Sequence, residues 1–155
     1  MTANACAEMR TAPTVQTMFI EPTDESGRHL VERGISGPLV MLNLLRFKEV
    51  ADYSAYPELA PQEPISGSEA YDRYAKLTTP FLVSAGGSLE FVGQGGFNLI
   101  GPPDERWDLV LLVRYPDLDA FMSMTGSQGY LDGFGHRTAA LEDSRLLPIV
   151  ESHSP

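Results

Sequence analysis

A four-stranded antiparallel sheet with two helices on one face, an α+β sandwich of order βαββαβ, is the fold class that this 155-residue sequence predicts. Three observations lead there. Two short runs, PLVMLNLLRF (residues 38–47) and WDLVLLVRY (107–115), are apolar at both parities, the pattern of buried central strands. A long helical pattern lies between them, opened by a capping box of Ser66 and Glu69 and stopped by Gly86 and Gly87. Two weaker strand patterns, one after that helix and one near the C-terminus, complete the order.

Each element has a local reason. PTDESGRHLVERG (22–34) reads as an extra helix ahead of the first strand. In the long helix, Ala70, Tyr71, Tyr74, Leu77, Thr78, Phe81 and Ala85 share one face, and Asp72 and Lys76 point away. Pro80 is expected to kink this helix or end its regular part. SLEFVGQGGF (88–97) alternates Ser88, Glu90 and Gln94 with Leu89 and Phe91, a strand with one wetter face. GPPDER turns the chain into the second apolar strand. PDLDAFMSM begins a helix with Leu118, Phe121, Met122 and Thr125 aligned. Beyond a break at Gly126, a second helical stretch over 127–144 aligns Tyr130, Leu131, Phe134 and Leu141. RLLPIV (145–150) is the last strand. Right-handed crossovers put both helices on one face, with the first and third strands central. Pro148 then falls on an edge strand, where a missing N–H is tolerated.

Helices on one face leave the other face bare. Val110 and Leu112 point opposite to Leu109, Leu111 and Val113, so the second face is also apolar. Water does not tolerate so large a patch on a monomer, and a second copy covering it predicts a homodimer joined through its sheets.

Composition narrows the partners. The net charge is −10 and is spread along the chain, which argues against nucleic acid and anionic membrane. No apolar run approaches the roughly 20 residues of a membrane span. The small, polar first residues lack the apolar core of a signal peptide, so a cytoplasmic location is expected. Residues 1–14 are expected to be a disordered tail ahead of a single domain over 15–155. Cys6, the one cysteine, lies in that tail and has no base beside it.

The segments VMLNLLRFKEVADY, SGSEAYDRYAKLTTPFLVSAGG, WDLVLLVRYPDLDAFMSM and HRTAALEDSRLLP together resemble a domain-of-unknown-function family of dimeric α/β-barrel proteins. The likeness runs from about residue 38 to 150. It implies a ferredoxin-like fold and a sheet-to-sheet dimer. It implies no reaction; the wider group with this architecture spans monooxygenases, isomerases, haem enzymes and stress proteins, and fold alone does not choose among them.

The residues offer a handful of candidates. Asn43 is the one polar side chain within the apolar run 39–45, and a buried amide must be satisfied. It either ties the fold together or anchors a ligand in a pocket between sheet and helices. Tyr71 and Tyr74 share the buried helix face, and each hydroxyl needs a partner. Arg137 sits about 60° round the wheel from Phe134, at the rim of the apolar face, whereas His136 points roughly opposite, toward solvent. Arg137 either pairs with a carboxylate, Glu90 being the obvious one, or takes a substrate carboxylate in a two-pronged grip. Trp107 reads as a core, interface or pocket-wall residue, and Arg46 points either into a site or out. His29, His136 and His153 are scattered, and no group has metal-ligand spacing. GQGGFNLIG joins strand to strand and is no dinucleotide fingerprint.

The expectation is therefore a homodimer that binds a small molecule. Asn43, Tyr74 and Arg137 are its catalytic candidates; Tyr71, Trp107, Glu90 and Arg46 contact substrate; no cofactor or metal is called for. As an enzyme it would be cofactor-independent, monooxygenase- or isomerase-like, acting on a small carbonyl-bearing or aromatic compound. The alternatives are a non-catalytic binder or sensor and a purely structural dimer, the last favoured if no cavity adjoins Asn43. The proline-rich segment 49–67 is long enough to be functional, with no residue to say how.

Overall fold

The computed structural model describes residues 18–152. Helix α1 (Asp24–Glu32) is capped by Thr23, whose hydroxyl accepts from Ser26 N. Strand β1 (Leu39–Phe47) follows, then helix α2 (Gly67–Ser84), β2 (Ser88–Gln94), β3 (Leu109–Tyr115), α3 (Leu118–Thr125), α4 (Gln128–Ala140) and β4 (Leu141–Ile149). The sheet order is β2-β3-β1-β4 with every pair antiparallel, the expected ferredoxin-like topology. The first and third strands are central, and Pro148 lies on the edge strand, as expected. The Ser66–Glu69 capping box forms at the start of α2, and Gly86, at φ 79°, turns the chain out of it.

Register sorts the two faces. Leu39, Met41 and Leu45 are buried toward the helices, and their β3 partners Tyr115, Val113 and Leu109 join them. The helix-facing core falls into two clusters. One gathers Leu45, Tyr53, Ala70, Tyr71, Ala139 and Leu141; the other gathers Leu39, Met41, Tyr115, Met124 and Tyr130. Tyr74 packs against both. The opposite face carries Val40, Leu42 and Leu44 of β1, Val110 and Leu112 of β3, and Leu147 and Ile149 of β4, with no helix over it.

The structure corrects five local expectations. Helix α2 does not end at Pro80; it runs on to Ser84, because Pro80 lies on the exposed side and forfeits only one backbone bond. Leu77, expected on the buried face, is exposed at the margin of the stripe. In α3 the buried residue is Met124, whereas Met122 is exposed; in α4 Leu131 is exposed as well. Helix α4 ends at Ala140, and Leu141 to Ser144 belong to β4. The cause is Asp143, whose buried Oδ1 accepts from Phe19 N at 2.8 Å, Ser144 N at 2.9 Å and Arg145 Nη1 at 2.8 Å, contacts that hold this stretch extended. Lastly, a bulge at Glu90 breaks the alternation of β2, so Leu89 pairs with Val113 and Phe91 with Leu112, on opposite faces.

Gly67 begins α2 where two chain segments converge. A Cβ there would meet the carbonyl oxygens of Lys48 and Ala140 and the nitrogen of Lys48, all backbone atoms that cannot swing aside. Gly67→Ala is expected to destabilise the fold by about 1–3 kcal/mol, seen as a lower urea midpoint at unchanged slope.

Candidate functional site

Asn43 has the parity of Leu39, Met41 and Leu45, so it faces the helices. Those three neighbours are 0–2% exposed, yet Asn43 is only half-buried. The inward row of β1 is therefore less closed at Asn43 than at its neighbours, as it is across the strand pair, where Leu109, Leu111 and Val113 of β3 are also half-buried. Along β1, Asn43 lies between Met41 of one cluster and Leu45 of the other, and Tyr74 packs against both clusters. Its Nδ2 donates to Met41 O at 3.2 Å, a bond within its own strand that orients the amide and leaves the oxygen to other partners.

Three tyrosines and an arginine line this junction from the helix side. Tyr71 and Tyr74, three residues apart on α2, have ring centroids 5.2 Å apart. Tyr130 on α4 meets Tyr74 edge-on, and the two hydroxyls are 2.8 Å apart. One proton is used in that bond, so one hydroxyl hydrogen of the pair remains to be donated. Tyr130 was placed by the sequence on the apolar helix face but not in the site; two tyrosine stripes on facing helices are the signal that could have found it. Burial pushes the Tyr71 hydroxyl up to about 12, with Arg137 pulling the other way. Tyr74 is raised well above its ordinary value, by burial first and by Tyr130 next. These phenols stay protonated at any physiological pH; they are hydrogen-bond donors and not bases.

Arg137 is buried on α4. It does not pair with Glu90. Its Nη1 donates to Ile20 O at 2.6 Å, and its Cζ lies 5.8 Å from the Phe134 ring centroid. Glu90 lies on the edge strand, exposed, bound to Arg114 Nε at 3.1 Å and to Ser88 Oγ at 2.8 Å. His136 is not solvated as the wheel suggested. It is buried, and its Nδ1 lies 2.7 Å from Tyr53 Oη. The helical wheel missed this because the segment after β1 folds back over α4, with Asp52 N donating to Ala139 O at 2.9 Å.

The remaining candidates lie elsewhere. Arg46 has the parity of Leu44 and is buried, with Nε 3.3 Å from Glu142 Oε2 but not aligned to donate to it. Trp107 packs against Arg145, whose guanidinium stacks 5.1 Å from the indole and 4.9 Å from Phe19. Of the candidates, Tyr71, Tyr74 and Arg137 lie near one another, Asn43 faces the same side of the sheet, and Arg46, Glu90 and Trp107 lie apart.

Two open clefts lie outside this junction. One of about 650 Å³ opens at the start of α2 between Lys48, Ser66, Gln94 and Arg106, and one of about 360 Å³ lies on the bare sheet face at Leu42, Leu44 and Leu147. Neither is lined by Asn43, Tyr71, Tyr74, Trp107 or Arg137. Among the described residues, no group of three or more His, Cys, Asp or Glu could hold a metal ion, and no helix is long and apolar enough to cross a membrane.

The strand order and the helices on one face define a ferredoxin-like α+β protein. No family model matches the chain, and no curated protein matches it. Among solved structures, the RPA0582 protein of Rhodopseudomonas palustris, a protein of unknown function, is 35% identical, with 89% of this chain and 100% of that one aligned at a TM-score of 0.77. Its methylated form aligns at 34% identity over 90% of this chain and 100% of that one, with a TM-score of 0.78. The chain belongs to the family of that protein. A more distant likeness, at 13% identity, is to SnoaB, a cofactor-independent oxygenase from Streptomyces nogalater; it covers 77% of this chain and 97% of that one at a TM-score of 0.45, too low to speak to chemistry.

Burial, and after it the nearby Arg73, holds the His136 pKa below its usual value of 6.5. The unfolded chain therefore takes up this proton before the folded chain does, and protonation favours unfolding. Stability is expected to be at its full value above pH 6.5 and to fall as the pH drops below it. In His136→Gln, urea titrations at pH 7.5 and 5.5 should show a smaller difference than in the parent.

Proposed function

We propose that the protein is a homodimer binding one small organic molecule per subunit at the Asn43–Tyr74–Tyr130 junction. The observation that carries the reading is the half-burial of Asn43 in the middle of a central strand whose neighbouring inward residues are closed to solvent. A purely structural amide would be buried there along with them. Neither cleft described above adjoins Asn43, which by itself favours a structural role, so binding requires the half-buried rings of Tyr74 and Phe134 to turn aside and open the space.

The donors at the junction suit a carbonyl-bearing or aromatic compound. Asn43 and the free hydroxyl of the tyrosine pair would stabilise an enolate-like oxygen by hydrogen bonding, in a site that burial keeps poor in water. Charge would come from Arg137. Protonated tyrosines offer no base, so the junction would take a substrate acidic enough to have lost its proton to solvent before it binds. The chain's own residues supply binding and polarisation, which is enough for a cofactor-independent reaction on an activated compound and equally for a sensor that turns nothing over.

The dimer rests on the bare sheet face. Seven aliphatic residues, Val40, Leu42, Leu44, Val110, Leu112, Leu147 and Ile149, form an apolar surface with no helix over it, flanked on the same face by Arg114 and Arg145. Covering it with the same surface of a second copy is a closed, two-fold solution. Light scattering should give a dimer for the parent and a monomer for Leu42→Asp with Leu112→Asp; a monomeric parent sinks this part of the reading. For the site, native mass spectrometry of freshly purified protein should show retained small molecule that Asn43→Ala and Tyr74→Phe release. Ligand held equally by both variants would refute the assignment.

A further inference from the structure

Two polar groups beside the tyrosine junction lack full partners: the Arg137 charge, whose unpaired nitrogens still touch solvent, and the buried Thr138 hydroxyl. Arg137 is 8% exposed and permanently charged. Among the described residues no carboxylate forms an ion pair with it; its one hydrogen-bond acceptor is the neutral carbonyl of Ile20. That carbonyl answers one of five guanidinium donors and none of the charge. The chain has 21 Asp and Glu residues, so carboxylates are plentiful, yet among the described residues none pairs with Arg137. A buried charge without a counter-charge is costly, and folds avoid it unless something else supplies the opposite sign.

The second group is the next residue on α4. Thr138 Oγ1 is buried and has no hydrogen-bond partner. Helical threonines usually bond the carbonyl one turn back, and three here do so: Thr78 to Tyr74 O, Thr79 to Ala75 O and Thr125 to Phe121 O. Thr138 does not. It follows Tyr130 and Phe134 at four-residue intervals, so it lies on the same stripe of α4 as those two rings. A missing counter-charge and an idle hydroxyl thus adjoin a wall of aromatic rings, Tyr71, Tyr74, Tyr130 and Phe134, each 5–6 Å from the next.

We propose that the ligand of this junction is an aryl carboxylate: a monoanion whose carboxylate sits on the Arg137 guanidinium, with the Thr138 hydroxyl donating to the ligand and the ring lying among the tyrosines. The inference rests on the pocket reading above and adds the charge and class of what the pocket holds. One cation and one hydroxyl match a single carboxylate. A phosphate monoester, with close to two charges, would leave one of them without a cation.

Isothermal titration with sodium benzoate and 4-hydroxybenzoate, set against neutral benzamide and 4-hydroxybenzyl alcohol, tests this. The anions are expected to bind and the neutral analogues not. Arg137→Met should abolish binding. Arg137→Lys, which keeps the charge but loses the fork, and Thr138→Val should each weaken it by about tenfold to a hundredfold. Arg137 also holds Ile20, so Ser144→Ala is the control: it removes the Ser144 Oγ bond to Phe19 O in the same segment and should bind benzoate like the parent. Neutral analogues binding as well as the anions, or equal loss in Ser144→Ala, overturns the anion and leaves the pocket standing. Should Arg137→Met fail to fold, undiminished affinity in both Arg137→Lys and Thr138→Val has the same force. If no aryl compound of either charge binds or shifts the ring signals of Tyr71, Tyr74 and Tyr130 in NMR spectra, this inference and the pocket reading fall together.

Discussion

Strand β1 must satisfy two layers at once, and the rest of the molecule is arranged around that demand. It pairs on one side with β3 and on the other with β4, so its backbone is spent within the sheet. One row of its side chains, Leu39, Met41 and Leu45, is sealed under helices; the other, Val40, Leu42 and Leu44, meets no helix. Burial at roughly 25 cal/mol per Å² makes the first row the main source of fold stability and the second a standing drive toward association. Asn43 interrupts the sealed row at its centre. Along the strand it lies between Met41 of one cluster and Leu45 of the other, and Tyr74 packs against both clusters.

The tyrosine junction combines weakly polar groups with one strong charge. Burial raises the hydroxyls of Tyr71 and Tyr74 and so keeps their protons in place. Arg137 is the single element that cannot be neutralised by shifting a proton. Its anchor on Ile20 O also ties the segment ahead of α1 to the far end of the chain, with Asp143 and Ser144 holding Phe19 on the neighbouring strand. Arg137 therefore belongs both to the tyrosine junction and to the attachment of the N-terminal segment.

Much of this was legible in the sequence. Runs apolar at both parities marked the central strands; the Ser66–Glu69 box and Gly86 bounded α2; edge placement explained Pro148. The failures have common physical causes. Leu141 to Ser144 continue a helical pattern, but Asp143 gains three backbone and guanidinium donors by going extended, which outweighs propensity. The Glu90 bulge is invisible to alternation because it costs one unpaired residue and changes no composition. His136 was misplaced because a wheel describes a helix in isolation, and Tyr53 arrives from a loop 83 residues away in sequence. For the site, Asn43, Tyr71, Tyr74 and Arg137 were readable as polar groups on buried faces. The pairing of Arg137 was not, because an absent carboxylate leaves no motif.

The edge strand β4 sets how far such chains can assemble. Pro148 has no N–H to offer an incoming strand, and its carbonyl is already taken by Arg33 Nη1 at 2.8 Å. Donor and acceptor are both missing at one position along the free edge of the sheet. Strand-to-strand growth, the route to open-ended fibres, is blunted there, while the broad apolar face stays available. The surface that this sheet leaves open for contact is thus a face, which pairs with a like face in a closed geometry, and not a strand edge that could propagate without limit.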